Sequence, residues 1–345
     1  MITQPAYLNH LANSESLVTT HEAKRAGFVS AILEKSVIAD AFVADARTLK
    51  VKAEKAQRPE DLLNITEIQA GLLTAAGVSD KAVAYLDASD RREILGEYIE
   101  RCLKPAGSQF VEELVYRFLL TRGDTLGGKI RNLVGKWAQR KFSEYVVANF
   151  RIAGKTITWL DSDTNIWKPE IELTRYERAR AFNWQARDAS RVLVYNLKVP
   201  IIQTDEEIED DSSVTDDSEH TRSGKNVDIC LLDCTADDFR NASRRSRIVK
   251  DPRRYVALGE LKGGIDPAGA DEHWKTANSH LGRIRKSFAA SQSTPSPSLF
   301  FVGNAIEISM AGEIWGQLVA NTLSNAANMT DHRQAVSLIS WLCSL

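Results

Sequence analysis

The chain has 345 residues, 43% of them hydrophobic, which is enough to bury a core in one elaborated domain or two smaller ones. No apolar run approaches the roughly 20 residues needed to cross a bilayer, and the N-terminal residues lack the pattern of a secretion signal. We therefore expect a cytoplasmic globular protein. Its cysteines are scattered in a way that supports neither a disulfide framework nor a zinc site: Cys102, Cys230, Cys234 and Cys343.

The formal net charge of -2 hides an uneven distribution of charge. Residues 204–219 include nine acidic side chains and no basic one, so the rest of the chain is net positive by about seven charges. The overall acidity therefore does not exclude DNA, whose affinity for proteins comes largely from Lys and Arg. We interpret the acidic segment 204–220 as a solvated surface insert.

The first part of the chain, residues 1–107, is predicted to be helical. Apolar residues recur three and four positions apart over residues 21–50, and Gly77 is a plausible helix end. Further helices are predicted to begin at Ser79 or Asp80 and at Ser89, which are favourable N-cap residues. A helix from residue 108 to residue 123 is expected to join this region to the rest.

A Gly-rich turn is predicted at residues 123–128, followed by a basic helix that is a candidate for contacts with DNA phosphates. Its basic candidates are Lys129, Arg131, Lys136 and Arg140. Three of them, at positions 129, 136 and 140, share one helical face opposite apolar residues. The alternative is a solvated amphipathic helix without a partner.

Runs rich in Val, Ile and Leu then alternate with polar loops. They predict strands at residues 155–161, 190–203, 226–233, 254–262 and 298–306. The segments 310–329 and 331–345 are predicted to be helices that cover the sheet. The expected fold class is α/β, with a mixed sheet in residues 108–345 and a helical N-terminal region.

A possible active site lies at the end of the predicted strand 254–262. Because side chains two apart share a strand face, Glu260 and Lys262 project together, and we place Leu258 and Leu261 on the other side. Asp228 lies just inside the preceding predicted strand. Two carboxylates supply the hard oxygen ligands that suit Mg²⁺.

These groups match the needs of phosphodiester hydrolysis. Lys262 would orient the attacking water, and the imidazole of His273 would take or relay a proton. The alternatives remain open: Glu260 and Lys262 as a surface ion pair, Asp233 as the ligand in place of Asp228, and His273 as an ordinary helix residue.

Two longer stretches are more specific than a Glu-x-Lys pair. The segments GELKGGIDPAGADEHWKT (259–276) and FVEELVYRFLLTRGDTLGGKIRNLVG (110–135) resemble the AvaI/BsoBI family of type II restriction endonucleases. The similarity extends over most of the chain. The acidic segment is the part that we cannot place.

The resemblance implies a PD-(D/E)xK fold and a homodimer that encircles double-stranded DNA. It also implies Mg²⁺-dependent double-strand cleavage at a degenerate palindromic hexamer of the CYCGRG kind, with 5′-phosphate ends. A protective DNA methyltransferase in the same prokaryotic cell is the expected companion. The helical region 1–107 would help to enclose the DNA.

The resemblance also assigns roles to particular residues. Glu260 and Lys262 fall on the metal-site pair of the family, and His273 falls on the histidine beside the attacking water. The first metal carboxylate is Asp228 or Asp233, and the position at the start of the strand favours Asp228.

Two further positions match residues that contact bases, namely Asp266 and Lys81. An Asp can accept a hydrogen bond from cytosine, and a Lys can donate one to guanine. The alternatives are a turn-forming Asp before Pro267 and a solvated Lys.

Two rival functions remain. The first is a catalytically inactive protein that binds a specific DNA sequence, and the second is a repair nuclease on the same fold that recognises DNA structure. The presence of every site carboxylate and of Lys262 argues against the first.

Overall fold

The computed structural model describes residues 4–169, 175–186, 189–200, 224–291 and 296–345. The acidic segment 204–220 and the side chain of Arg131 lie outside the described residues. Within the described ranges, no helix is both long enough and apolar enough to cross a bilayer. The predicted α/β class with a mixed sheet is confirmed.

The chain divides into two compact units, residues 28–133 and residues 1–27 with 134–345. These boundaries differ from those of the predicted regions 1–107 and 108–345. The difference arises because the first 27 residues pack with the sheet and because the helix that begins at Phe110 continues from one unit into the other.

The unit 28–133 is built from helices. They are α1 (His21–Ala53), whose first residues belong to the other unit, α2 (Gln69–Ala75), α3 (Ala88–Tyr98) and the first part of α4 (Phe110–Ile152). Its core includes Leu49, Leu72, Leu95 and Leu114. Gly77 has a φ of 92°, in the left-handed region, as expected for a residue just after a helix.

The Gly-rich turn predicted at residues 123–128 is absent, because α4 is one helix of 43 residues. Glycine in a helix costs only about 1 kcal/mol relative to alanine. Buried contacts on both sides of the glycines offset this cost, with Phe118 and Leu126 before or among them and Phe142 after them. Tertiary packing therefore overrides the local preference for a turn.

The strands of the described residues form one eight-stranded sheet in the unit 1–27 with 134–345. They are β1 (Thr158–Asp161), β2 (Trp167–Lys168), β3 (Ala179–Ala186), β4 (Ala189–Pro200), β5 (Gly224–Asp233), β6 (Tyr255–Lys262), β7 (Ser298–Gly303) and β8 (Asn325–Asn328). The order is β2-β1-β3-β4-β5-β6-β7-β8. Pairs up to β5 and β6 are antiparallel, whereas β6, β7 and β8 run parallel.

Helices cover both faces of the sheet. One face packs against α7 (Pro267–Ala290) and α8 (Ile308–Val319), and the other against α9 (His332–Ser344) and the end of α4. The short helices α5 (Ala236–Arg240) and α6 (Ala242–Lys250) connect β5 to β6.

The placement of Leu258 opposite Glu260 was wrong. Leu258 belongs to the cluster on the α7 face, whereas Leu261 packs against the other cluster. Residues 258, 260 and 262 differ by two and therefore share a face. Glu260 thus projects toward the layer that contains α7.

The predicted strands correspond to β1, β4, β5, β6 and β7, but three strands were missed, namely β2, β3 and β8. The strand β3 lies between two predicted neighbours, and β8 occupies the end of the segment 310–329, which we predicted to be entirely helical. The sequence of β8, Asn-Ala-Ala-Asn, has little strand preference. Pairing with β7 and complete burial determine its conformation.

The N-terminal segment is bound to the ends of the parallel strands through the buried side chain of Thr19. Its hydroxyl donates to Asn304 O at 2.9 Å and accepts from Ile306 N and Asn328 Nδ2, each at 2.8 Å. The backbone N–H of Asn304 in turn donates to Lys262 O at 3.0 Å. One threonine therefore stabilises the loop beside the end of β6.

We predict that Thr19→Val lowers the free energy of unfolding by about 1–3 kcal/mol, because buried donors lose their acceptor without a change in side-chain shape. The measurement is urea denaturation followed by tryptophan fluorescence. All seven tryptophans lie between residues 137 and 341, so the signal reports the unit that contains the sheet.

The matched control is Thr276→Val, at an exposed position of α7. It should change the free energy of unfolding by no more than about 0.5 kcal/mol. Equal stability of the two variants would show that the Thr19 hydroxyl does not stabilise the fold.

Candidate active site

The predicted carboxylates Asp228 and Glu260 lie on neighbouring antiparallel strands. The pairing of β5 with β6 reaches Ile229 opposite Gly259. Beyond this pair, Asp228 Oδ2 accepts a hydrogen bond from Leu261 N at 2.9 Å. The side chain of Asp228 thus takes the place of a backbone acceptor, which fixes it against the end of β6.

Two glycines allow the close packing around this strand end. A Cβ atom on Gly259 would lie 2.3 Å from the ring of Phe300, and one on Gly263 would lie 2.8 Å from Val134 O in α4. Both separations are too short for a side chain. The residues on either side of the Glu260–Lys262 segment are therefore held close to β7 and to α4.

Lys262 joins the two carboxylates. Its Nζ lies 3.0 Å from Asp228 Oδ2 and 2.6 Å from Glu260 Oε2. The Glu260 side chain is 3% exposed, whereas Asp228 and Lys262 are 28% and 24% exposed. The cluster is therefore closed behind Glu260 and accessible beside Asp228 and Lys262.

The protonation equilibria of the three groups are coupled. Burial raises the pKa of Asp228 above its ordinary value, and the charge of Glu260 adds to this effect. Burial also acts to raise the pKa of Glu260, but His280 and Lys262 outweigh it and hold that pKa below its ordinary value. Burial lowers the pKa of Lys262, yet the two carboxylates raise it further, so Lys262 remains cationic.

The histidine that approaches Glu260 is His280, which the sequence analysis did not single out. His280 Nδ1 lies 2.8 Å from Glu260 Oε1, and the imidazole is 12% exposed. His273, the predicted catalytic histidine, is exposed two turns earlier on α7. Its ring lies near the turn, 3.6 Å from a Cβ built on Gly264 and 3.5 Å from one built on Gly269.

The structure thus brings together three of the four predicted catalytic residues. A signal for His280 was present in the sequence, because it lies among the apolar positions Ala277, Leu281 and Ile284 of α7. That position directs it toward the sheet. This signal is informative only once it is known that α7 packs on the face of the sheet to which Glu260 belongs.

Asp233, the alternative first carboxylate, lies five residues beyond Asp228, at the C-terminal end of β5. It forms an ion pair with Arg191 at 2.6 Å and a longer one with Arg254 at 3.6 Å. Two arginines therefore compensate its charge, whereas Asp228 contacts Lys262. The geometry favours Asp228 as the partner of Glu260.

The predicted DNA-contacting residues are distributed over both units. In the sheet-containing unit, Asp266 is exposed immediately before α7, Lys136 is exposed on α4, and Arg140 pairs with Glu144 at 3.0 Å. In the helical unit, Lys81 is exposed, and Lys129 Nζ lies 4.8 Å from the ring centre of Phe42.

The carboxylates of Asp228 and Glu260 suit a divalent cation that takes few of its ligands from the protein. The described residues contain no group of three or more His, Cys, Asp or Glu side chains placed to hold a metal. Magnesium, however, keeps several waters and takes one or two carboxylates together with substrate phosphates. Asp228 and Glu260 supply two such carboxylates, and Glu260 Oε1 accepts no well-directed hydrogen bond in the described part of the chain.

Known proteins with similar sequences are restriction endonucleases. The profile of the family described as restriction endonuclease BsoBI matches residues 7–211 and 220–345. The type II restriction enzyme AvaI of Nostoc sp. is 43% identical over 341 residues, covering 98% of this chain and 99% of the relative, and AvaI of Anabaena variabilis has the same values. The type II restriction enzyme BsoBI of Geobacillus stearothermophilus is 41% identical over 351 aligned positions, covering both chains completely. The chain therefore belongs to the BsoBI family of restriction endonucleases.

Proposed function

We propose that the protein makes Mg²⁺-dependent, sequence-specific double-strand cuts in DNA at a degenerate palindromic hexamer such as CYCGRG and leaves 5′-phosphate ends. The observation that carries the proposal is the convergence of Asp228 and Glu260 on Lys262 Nζ, at 3.0 and 2.6 Å. Two carboxylates and an ammonium in one partly buried site meet the electrostatic needs of phosphodiester hydrolysis.

The same arrangement supports a PD-(D/E)xK core. Asp228 comes from one strand, and Glu260 and Lys262 come from the end of the next, in the spacing that the last part of the motif requires. Val227 stands where the motif name has proline. The carboxylate and the Glu-x-Lys pair are the parts that have chemical roles.

Asp228 and Glu260 are the residues proposed to hold Mg²⁺. When bound, the ion supplies positive charge to the scissile phosphate and the departing 3′ oxygen. Lys262 donates hydrogen bonds and positive charge beside both carboxylates, so it is placed to orient a water for attack. Its raised pKa keeps it protonated during this task.

His273 is proposed to take or relay the proton that the attacking water loses. Its imidazole is exposed and lies near Gly264, in the turn that follows Lys262, and near Gly269, in the first turn of α7. Asp266, exposed in the same turn, is proposed to accept a hydrogen bond from a base. The turn 263–269 would then combine recognition with catalysis.

Further DNA contacts are proposed for basic side chains of both units. Lys81 is assigned to a base, and the remaining candidates, Lys129, Arg131, Lys136 and Arg140, are assigned to phosphates. The helical N-terminal region is proposed to help enclose the DNA. A methyltransferase that protects the host sequence in a prokaryotic cytoplasm is part of the same proposal.

The experiment is digestion of a long, fully sequenced DNA in Mg²⁺ and in EDTA, followed by sequencing of the fragment ends. We expect discrete cuts at one palindromic hexamer in Mg²⁺ alone. Cuts at flaps or branches would favour a structure-directed nuclease. Sequence-specific binding with no cutting would favour an inactive DNA-binding protein.

The control for this digestion is Lys262→Ala. Cleavage should fall by more than about 1,000-fold, because charge at the reacting phosphate is lost, while binding to the same DNA persists. Loss of binding together with cleavage would make Lys262 a structural residue.

A second prediction separates the two candidates for the first carboxylate. Asp228→Asn should lower cleavage by more than about 100-fold, since one oxygen ligand of the cation loses its charge. Asp233→Asn should retain cleavage, because Asp233 is paired with Arg191 away from the site. Cleavage rates at saturating Mg²⁺ provide the comparison, and the opposite ranking would exchange the two assignments.

We also propose that the protein acts as a homodimer, since a palindromic site is matched by a two-fold symmetric enzyme that cuts one strand with each protomer. An exposed apolar face on α1 supports this proposal. It consists of Phe28, Val29, Ile32, Leu33 and Val37, which are 39–66% exposed. Contiguous apolar surface of this kind is typical of protein interfaces.

Replacement of Ile32 by Glu should convert the dimer to a monomer, because a charge would be buried at the proposed interface. Sedimentation equilibrium measures the mass. The matched control is Val51→Glu, an equally exposed valine farther along α1, which should leave the dimer intact. A dimer that survives Ile32→Glu would place the interface elsewhere.

A further inference from the structure

We propose that His280 is a positioning residue for Glu260, which holds the carboxylate in the orientation that binds the metal ion. The proposal rests on the assignment of Glu260 as a metal ligand above. Its starting point is that each oxygen of this carboxylate has a separate neighbour. Oε2 lies 2.6 Å from Lys262 Nζ, and Oε1 lies 2.8 Å from His280 Nδ1.

The position of the His280 imidazole is determined by the packing of α7 in the hydrophobic core and not by its contact with Glu260. Ala277, Leu281 and Ile284 surround His280 along α7 and are buried in the cluster on this face of the sheet. Earlier on the same helix, buried Trp274 donates from Nε1 to Glu313 Oε2 at 2.6 Å. The helix cannot shift without disrupting these contacts, so the position of Nδ1 is determined by packing.

The other nitrogen of the ring supports the same role. His280 Nε2 is buried and has no hydrogen-bond partner in the described part of the chain. A proton on Nδ1 leaves Nε2 as an unprotonated acceptor, and an unmet acceptor is tolerated better than an unmet donor. The tautomer that suits the buried ring is therefore the one that can donate toward Glu260.

The approach leaves room for a cation. Although Nδ1 and Oε1 are 2.8 Å apart, the hydrogen-bond direction is poor, and Oε1 accepts no well-directed bond. Oε1 therefore retains lone pairs for a metal while the imidazole restricts rotation of the carboxylate. Carboxylates that bind metals are commonly oriented by a polar group outside the ligand set, and its loss weakens metal binding by roughly 10–100-fold.

The test compares three variants of the full-length protein. His280→Ala removes the contact, His280→Asn keeps an N–H near the position of Nδ1, and His280→Gln moves that N–H to the position of Nε2. Mn²⁺ binding is measured by electron paramagnetic resonance of the free ion. The Mg²⁺ concentration that gives half-maximal cleavage and the rate at saturating Mg²⁺ are measured in parallel.

For His280→Ala, we expect Mn²⁺ affinity to fall and the half-maximal Mg²⁺ concentration to rise, each by about 10–100-fold. The rate at saturating Mg²⁺ and the binding of DNA in EDTA should remain close to those of the wild type. His280→Asn should recover most of the affinity, and His280→Gln should not. The matched control, exposed His21→Ala, should change none of these quantities.

Unchanged Mn²⁺ affinity in His280→Ala would overturn the proposal. Equal losses of Mn²⁺ affinity in His280→Ala and His280→Asn, together with weakened DNA binding, would also overturn it, because they would indicate a purely structural role. Asp228→Asn distinguishes the two levels of assignment. If it abolishes Mn²⁺ binding while His280→Ala leaves Mn²⁺ affinity unchanged, only the role of His280 fails. If Mn²⁺ binding survives Asp228→Asn, the metal site itself is misassigned and the role of His280 falls with it.

Discussion

The close approach of two carboxylates is the constraint on which the site depends. Asp228 and Glu260 share one ammonium group, and burial of both raises the cost of their repulsion. Lys262 offsets this repulsion with one positive charge. A divalent cation would compensate both negative charges at once.

The surrounding fold holds this cluster in a narrow range of positions. The β5 and β6 pairing sets the separation of the carboxylates, and the absence of side chains at Gly259 and Gly263 allows β7 and α4 to pack beside the strand end. On the other side, α7 brings His280 to Glu260. The short segment 263–266 then connects the strand that bears Glu260 and Lys262 directly to α7.

Strand alternation was sufficient to predict that the side chains of Glu260 and Lys262 lie together, because a period of two depends only on local backbone geometry. The choice between Asp228 and Asp233 required the arginines near Asp233, which are distant in sequence. His280 required knowledge of which face α7 covers. The strand β8 and the continuous helix α4 were missed for a related reason, since long-range packing overrides weak local preferences at both places. Local chemistry was thus readable, and long-range packing was not.

Thr19 contributes to the active unit in another way, through the order in which the chain is made. The hydrogen-bond partners of Thr19 are separated from it by 285 to 309 positions along the chain. Those of His10 are separated from it by 316 and 327 positions. Contacts at such separations carry a larger loop-closure entropy than local contacts do. During synthesis the N-terminal segment can therefore form these hydrogen bonds only after β7, β8 and the start of α9 have left the ribosome. A chain that does not yet include β8 lacks this support beside the end of β6, so the strand that bears Glu260 and Lys262 gains it only after residue 328 has been made.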